Sequence, residues 1–574
     1  MRDYMAEYRK WLESPHVDEE TKNELRSIAN NDEEIKERFL FELEFGTAGL
    51  RGKIGAGTNR MNIYTVGKAT QGLAEYILSR GEEYAKRGVV IAYDVRRMSR
   101  EFARTTAQIL AANGVQVYLF DDIRPTPILS YAVRHLKTAS GIVITASHNP
   151  PEYNGYKVYW EQGSQIMDDI AEPIEENIRK IDDFGKIKKM DFDEAISKGL
   201  IKIVGKEIDE AYFEKVLGLS LNDENIDKNI SIIYTPLHGT GGRFVRYILT
   251  KRGFTNFTII PEQEEPNGEF PTVEYPNPED LKAFDLALKY AKEKDADLIL
   301  ATDPDADRNA VMVKHNGDYV PLNGNQTGAL LIEYLLSQRK EKGLLPKNGI
   351  IIKSIVTGDL GKLIAKQYGV ETFETLTGFK NICGLENMLE DKYSFQFGYE
   401  ESIGYVTGNF VRDKDGVMMS MLISEMAAYY KKQGKTLVDV LESLYKKFGY
   451  YFEGNFSMIY EGLKGMEKIR RIMEVFRKKF PKEIGPLELV EYIDYKERKV
   501  YDRNGNVIGE VEKHIPESNV LRFFLSDGSW YAIRPSGTEP KLKVYIYTVD
   551  KIETESKKKL SLIKDTLLKI INEA

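Results

Sequence analysis

What most constrains the fold of this chain is an alternation. Short apolar, β-branched runs are answered by helix-forming ones: Val89 to Tyr93, Arg100 to Asn113, Val115 to Phe120, then Ile142 to Ile144. Strands alternating with helices predict βαβ units and a mostly parallel sheet. The rhythm restarts near Ile230 and again near residue 319, and 574 residues are too many for one hydrophobic core. The expected class is therefore α/β, in several domains. Ahead of these units, Trp11, Leu25, Ile28, Ile35, Phe39 and Leu43 fall at roughly helical spacing, so residues 1–45 are read as structural helices. The stretch from 165 to 215 is expected to carry a helix and a domain crossing, and Pro261 to Asp280 an exposed loop.

Bulk properties remove several function classes. A net charge of −8 gives no nucleic-acid footprint, so any anion site must be local. The single cysteine, Cys383, excludes an internal disulfide and a cysteine zinc site. The start, Met1 to Lys10, lacks the apolar core of a signal peptide, and no apolar run reaches the length of a membrane span. A cytoplasmic protein is expected.

Chemistry concentrates in loops that follow the apolar runs. After Ile142 to Ile144 comes Thr145-Ala-Ser-His-Asn-Pro-Pro151, continuing to Lys157. Two prolines end both ladder and helix there and fix Ser147 on a loop at a strand end, where open α/β sheets hold their chemistry. A hydroxyl, the imidazole of His148 and the ammonium of Lys157 stand together, although a serine in a turn is by itself a turn residue. The glycine-rich Gly46-Thr-Ala-Gly-Leu-Arg51 permits close approach to an anion, with Arg51 as a phosphate clamp or a mere strand entry. Gly239 to Gly242 and His238 read as a structural turn.

The strand Leu298 to Ala301 delivers Asp303, Asp305 and Asp307 at alternate positions, expected on one face of extended backbone. Three converging carboxylates repel one another without a divalent cation, and all-oxygen ligands favour Mg2+ over zinc. Arg308 and Lys314 stand where an EF-hand needs glycine and glutamate. Further on, Thr377-Gly-Phe-Lys380 follows a strand, and Glu400 and Ser402 lie two apart, a spacing that in extended backbone suits neighbouring sugar hydroxyls, although as paired polar residues alone they read better as a surface loop. Arg534, Ser536, Gly537, Thr538 and Lys543 supply the donors of a phosphate clamp, or of a hairpin turn with charged flanks.

Thr145-Ala-Ser-His-Asn-Pro150 resembles the phosphoserine loop of the α-D-phosphohexomutases, the family of phosphoglucomutase and phosphomannomutase. Gly46 to Arg51 is similar to that family's N-terminal arginine motif, Asp303 to Arg308 to its metal loop, Glu400 to Ser402 to its sugar-recognition loop and Arg534 to Lys543 to its distal phosphate loop. The motifs span essentially the whole chain in the family's order, and their wording is closest to its phosphoglucomutase and phosphopentomutase-like branch. Tyr399 departs from the commoner Gly-Glu-Glu-Ser-Gly form, which bears on sugar choice.

The resemblance implies three related α/β domains with mixed sheets and a smaller α+β C-terminal domain around one central cleft, expected at 1–206, 207–318, 319–449 and 450–574. It implies hexose 1-phosphate and 6-phosphate as substrates, most simply of glucose, with Mg2+ held by Asp303, Asp305, Asp307 and the phosphoryl group of Ser147. Glucose 1,6-bisphosphate is the implied intermediate and activator. Arg51 and Arg308 hold the transferring group; His148, Lys157 and Lys414, the last at the family's catalytic-lysine position, are candidates for proton transfer. Thr377, Gly378, Lys380, Glu400 and Ser402 face the sugar, and the 534–543 loop grips the passive phosphate. Turning the intermediate around implies a C-terminal domain that moves on a hinge near 445–455. Either a monomer or a homodimer fits. Alternatives are a phosphopentomutase, a sugar-bisphosphate synthase, a haloacid-type phosphatase using Asp303 and Asp305, or a non-catalytic sugar-phosphate binder.

Overall fold

The computed structural model describes residues 3–460, 462–536 and 541–574. The chain divides into two compact units, one of residues 1–324, 386–390 and 402–436, the other of 325–385, 391–401 and 437–574.

The first unit opens with three helices, Tyr4–Glu13, Glu19–Ser27 and Asp32–Phe39, each begun by an acid or amide side chain (Asp3, Asp18, Asn31) that accepts a backbone N–H of its first turn. They close on Trp11, whose ring meets Phe39, Tyr64 and Phe184 edge-on at 5.1–5.7 Å.

Val89–Tyr93 is buried along its whole length, as befits the inside of a sheet covered on both faces. It runs parallel to Val117–Phe120 and Ser140–Ile144. Tyr153–Trp160 then returns antiparallel to Ser140–Ile144, and Leu50–Lys53 pairs antiparallel beyond it, so the sheet is mixed, with its antiparallel pairings confined to one edge. Gly155 sits where three chain segments crowd: a Cβ there would stand 2.5 Å from the Thr145 carbonyl oxygen and 2.9 Å from that of Leu50.

The 165–215 stretch holds more than the one helix expected. Its strand Ile201–Val204 extends the same sheet alongside Val117–Phe120. A second mixed sheet pairs Ile232–Thr235 in parallel with Phe257–Ile259 and Leu298–Thr302, and Asn309–His315 returns antiparallel. The expected exposed loop at 261–280 instead begins as a short helix, Pro261–Glu264, and buries Gln263 and Phe270.

In the second unit Gly349–Ser354 runs parallel to Glu371–Thr375 and Ser394–Glu400. An antiparallel sheet follows, in which Trp530–Pro535 and Lys541–Asp550 are central, backed by the helix Glu553–Glu573. The segment expected to act as a hinge is built into this body. Tyr450–Glu453 pairs residue for residue with Lys541–Asp550, and the Tyr445 ring lies 5.5 Å from that of Tyr450. Around it, Ile355 and Val356 pack with Tyr495, Trp530 and Tyr547, and the Tyr547 hydroxyl donates to the Val356 carbonyl at 2.5 Å.

Candidate active site

The Ser147 loop leaves the end of Ser140–Ile144 and turns back at once into Tyr153–Trp160. Ser147 is 4% exposed and adopts a left-handed backbone conformation, φ +53°. Its N–H donates to Thr145 Oγ1 at 2.9 Å, and its hydroxyl donates to Asp303 Oδ2 at 2.8 Å. That bond joins residues 156 positions apart and brings the first two motifs into one site. His148 Nδ1 lies 3.2 Å from the same hydroxyl oxygen.

The three aspartates do converge, with ligand oxygens within 4.8 Å of one another and the residues at most 2% exposed. The route differs from expectation. The strand stops at Thr302, and Asp303 to Asp307 occupy a turn through Ala306 at φ +52°, so the carboxylates meet by curling rather than by alternating along extended backbone. Asp303 Oδ1 fixes the turn by accepting the backbone N–H groups of Asp307 and Arg308 at 3.2 and 3.0 Å.

Cations and hydroxyls close in from neighbouring elements. Lys157 Nζ lies 3.1 Å from Asp305 Oδ2 and 3.9 Å from Asp307 Oδ2, while Lys414 Nζ lies 3.1 Å from Asp307 Oδ2. Thr126 Oγ1 donates to Asp305 Oδ2 at 2.8 Å. Lys414 is held by Asp413 at 3.1 Å, which in turn accepts Tyr159 OH at 2.5 Å and Gln165 Nε2 at 3.2 Å. Asp415 caps the helix Gly416–Lys432 through Met418 N, and Gly416 N donates to the Ala306 carbonyl at 2.9 Å, stitching this segment to the aspartate turn.

Three buried carboxylates face only two ammonium groups here, an arrangement costly without further positive charge. Burial, then Asp305 and Asp307, push Asp303 well above the ordinary carboxyl range. Burial pushes Asp305 the same way, but Lys157, Asp303 and Thr126 outweigh it and leave Asp305 low. Burial and Asp305 also raise Asp307, against Lys414 and Lys157. Asp305 Oδ1 and Asp307 Oδ1 are buried without a hydrogen-bond partner. Such oxygens, beside a cluster that otherwise retains protons, fit a divalent cation. His148 is pulled far below the usual imidazole range by burial, Arg308 and Arg51, so it is neutral at pH 7.

Arg51 lies exposed on Leu50–Lys53 and reaches the Ser147 loop through Asn149 Oδ1 at 3.2 Å. Arg308 is held by Glu279 at 3.0 Å and by the Ser402 carbonyl at 3.4 Å, so an incoming phosphoryl group competes with Glu279 for it. Ser402 itself sits in a turn that ends with Ile403 at φ +54°, which overturns the extended Glu400–Ser402 spacing.

The second unit carries its own cluster. Thr377 Oγ1 accepts a hydrogen bond from Arg534, and Gly378, at φ +108°, donates its N–H to Glu400 Oε1 at 2.7 Å. Lys380 lies in the first turn of the helix Phe379–Leu389. Arg534 pairs with Lys543 across adjacent strands, and Ser536 N donates to the Lys541 carbonyl at 2.7 Å. Gly537 and Thr538 lie outside the described residues. Thr126, Tyr159, Gln165 and Asp413 escaped the sequence reading; only Asp413 carried a signal, as the neighbour of Lys414.

Comparison with known proteins identifies the family. The models of domains I, II and III and of the C-terminal domain of the phosphoglucomutase/phosphomannomutase family match residues 42–184, 210–317, 323–448 and 493–567. A phosphoglucomutase of Staphylococcus haemolyticus is 38% identical over 90% of this chain and 92% of its own. One of Staphylococcus epidermidis is 40% identical with the same coverage. In fold, the chain is similar to the Paramecium phosphoprotein parafusin, a phosphoglucomutase in its open form (TM-score 0.70, 19% identity, 92% of this chain and 95% of that one). It is likewise similar to a family protein of Burkholderia thailandensis (TM-score 0.64, 18% identity, 92% and 97%). No helix among the described residues is long and apolar enough to cross a membrane. The chain belongs to the phosphoglucomutase/phosphomannomutase family.

Proposed function

We propose that this chain interconverts hexose 1-phosphate and hexose 6-phosphate, glucose being the expected sugar, through a phosphoryl group carried on Ser147. The observation that carries the reading is the Ser147 hydroxyl set 2.8 Å from one carboxylate of the buried aspartate cluster.

Asp303, Asp305 and Asp307 would hold Mg2+, joined by an oxygen of the Ser147 phosphoryl group. When bound, the ion withdraws charge from the transferring group, where a loose transition state needs it. Arg51 and Arg308 steady the equatorial oxygens. In the forward half-reaction the P–O bond to Ser147 breaks and one to the sugar hydroxyl forms, giving glucose 1,6-bisphosphate. The sugar's proton must leave as its oxygen attacks, and the serine oxygen must regain one. Neutral His148, 3.2 Å from Ser147 Oγ, is our candidate for the serine side; Lys157 and Lys414, 3.9 and 3.1 Å from Asp307 Oδ2, are our candidates for the sugar side. Reorientation of the bisphosphate and return of its other phosphate to Ser147 complete the cycle. Thr377, Gly378, Lys380, Glu400 and Ser402 select the sugar, and Arg534, Ser536 and Lys543, with Gly537 and Thr538, grip the passive phosphate.

The test is glucose 1-phosphate with Mg2+ and a trace of glucose 1,6-bisphosphate. Glucose 6-phosphate is the expected product, and Ser147→Ala should abolish its formation. Free phosphate as the product, or turnover by Ser147→Ala, refutes the reading.

A further inference from the structure

One buried charge lies beside the Ser147 loop and has no part in the chemistry above. Arg96 follows the strand Val89–Tyr93, and its side chain is wholly enclosed. Its two terminal nitrogens donate to four carbonyl oxygens of a single loop: Nη2 to Ser147 at 2.6 Å and Asn149 at 2.5 Å, Nη1 to Pro150 at 2.8 Å and Tyr153 at 3.1 Å. Four carbonyl dipoles turned on one point repel one another unless a cation sits there. The planar guanidinium supplies donors in a fixed fork, which an ammonium cannot match.

The anchoring of Arg96 is equally specific. Asp94 Oδ2 lies 3.3 Å from Arg96 Nε, and Asp94 Oδ1 accepts Arg96 N at 2.9 Å and Ser99 Oγ at 2.7 Å. Asp94 N donates to the carbonyl of Ile144, the last residue of the strand that leads into the loop. On the opposite side the guanidinium carbon lies 5.1 Å from the centre of the Phe270 ring. Phe270 arrives on a segment packed so closely that a Cβ on Gly268 would stand 2.6 Å from the Val95 carbonyl oxygen.

We infer that Arg96 is the positioning residue of phosphoryl transfer: by holding the 147, 149, 150 and 153 carbonyls it fixes Ser147 in its left-handed conformation and aims Oγ at the aspartate cluster. It touches neither sugar nor cation. Its loss should therefore slow transfer to and from Ser147 without loosening either ligand. The inference rests on Ser147 being the phosphoryl carrier.

The experiment compares Arg96→Lys and Arg96→Gln with the parent, well below their melting temperatures. A misplacement near 1 Å lowers rate by about a hundredfold, so kcat should fall by about that factor. KM for glucose 1-phosphate and the Mg2+ dissociation constant should stay within about threefold, a split that general loosening of the structure would not give. Phosphorylation of Ser147 by glucose 1,6-bisphosphate, followed by intact mass, should slow by about the same hundredfold. Asp94→Asn keeps every Arg96 donor but removes the carboxylate charge beside Nε, and serves if both Arg96 variants misfold; its kcat should fall about tenfold at unchanged KM. Parental kcat in a folded variant overturns the inference, as does a raised KM with kcat intact. An inactive Ser147→Ala beside a fully active Arg96→Gln sinks this inference alone, whereas an active Ser147→Ala sinks the reading beneath it.

Discussion

Replacing Lys353 by methionine isolates what joins the third domain to the C-terminal one. Lys353 is fully buried near the C-terminal end of Gly349–Ser354, 2.8 Å from Glu374 and 3.2 Å from Asp359, and it donates to the Thr357 carbonyl at 2.8 Å. The only other cation in contact with both acids among the described residues is Arg522, 3.0 Å from Glu374 and 3.7 Å from Asp359, while Trp530 Nε1 donates to Asp359 at 2.7 Å. Methionine fills the volume but leaves two half-buried carboxylates to share one guanidinium; breaking a fully buried pair costs about 3–5 kcal/mol, the upper bound here. For a body of this size that is about 6–20 °C in melting temperature.

The pH dependence gives the sharper signature. In the parent, burial pushes Glu374 up, but Lys353 and Arg522 outweigh it and hold the carboxyl below its ordinary value. A depressed carboxyl contributes stability above its unfolded pKa, lost as pH falls through the folded one. Without Lys353, burial prevails and the sign reverses: the folded state then retains a proton that the unfolded chain has released, so stability falls as pH rises from about 5 to about 8. Scanning calorimetry at those two pH values should show a larger deficit at the higher one, and Glu374→Gln added to Lys353→Met should remove most of it. A deficit independent of pH, or one below about 1 kcal/mol as for a surface pair, refutes the reasoning.

Other consequences are open to direct measurement. Because Asp303 and Asp307 titrate above the ordinary range, Mg2+ must displace protons, so its affinity should weaken by up to about tenfold per pH unit for each proton displaced on acidification; calorimetric titration in buffers of different ionisation enthalpy checks it. Thr126→Val removes the hydroxyl that orients Asp305, and the Mg2+ dissociation constant should rise about tenfold. Lys362 and Asp527 border one surface hollow shared by the third and C-terminal domains, so a short thiol cross-link between Lys362→Cys and Asp527→Cys should leave turnover intact if the two domains move as one body. Loss of activity on cross-linking would instead support movement on the expected 445–455 hinge.

How far the sequence spoke depends on the residue. Ser147, His148 and the aspartates stand in short loops after buried strands, and that local grammar survives in the structure. Their meeting across 156 residues had no local signal and was legible only through the family resemblance. The period-two argument placed the aspartates on one face by the wrong route, because a turn at Ala306 replaces the extended backbone it assumed. The same error touched Ser402. Ile201–Val204 was missed because its two central residues, Lys202 and Ile203, are exposed and leave only a terminal pair buried. Thr126, Asp413 and Arg96 act through partners remote in sequence, or through carbonyls that no side-chain pattern reveals.

The whole reading stands on Ser147 as the phosphoryl carrier, and one single-turnover experiment addresses that step. Unphosphorylated protein is mixed with Mg2+ and glucose 1,6-bisphosphate labelled in its phosphates, quenched, and digested. The label should appear first on the peptide containing Ser147, then pass quantitatively to added glucose 1-phosphate. Label on any other residue, or its release to water as inorganic phosphate before transfer, contradicts it.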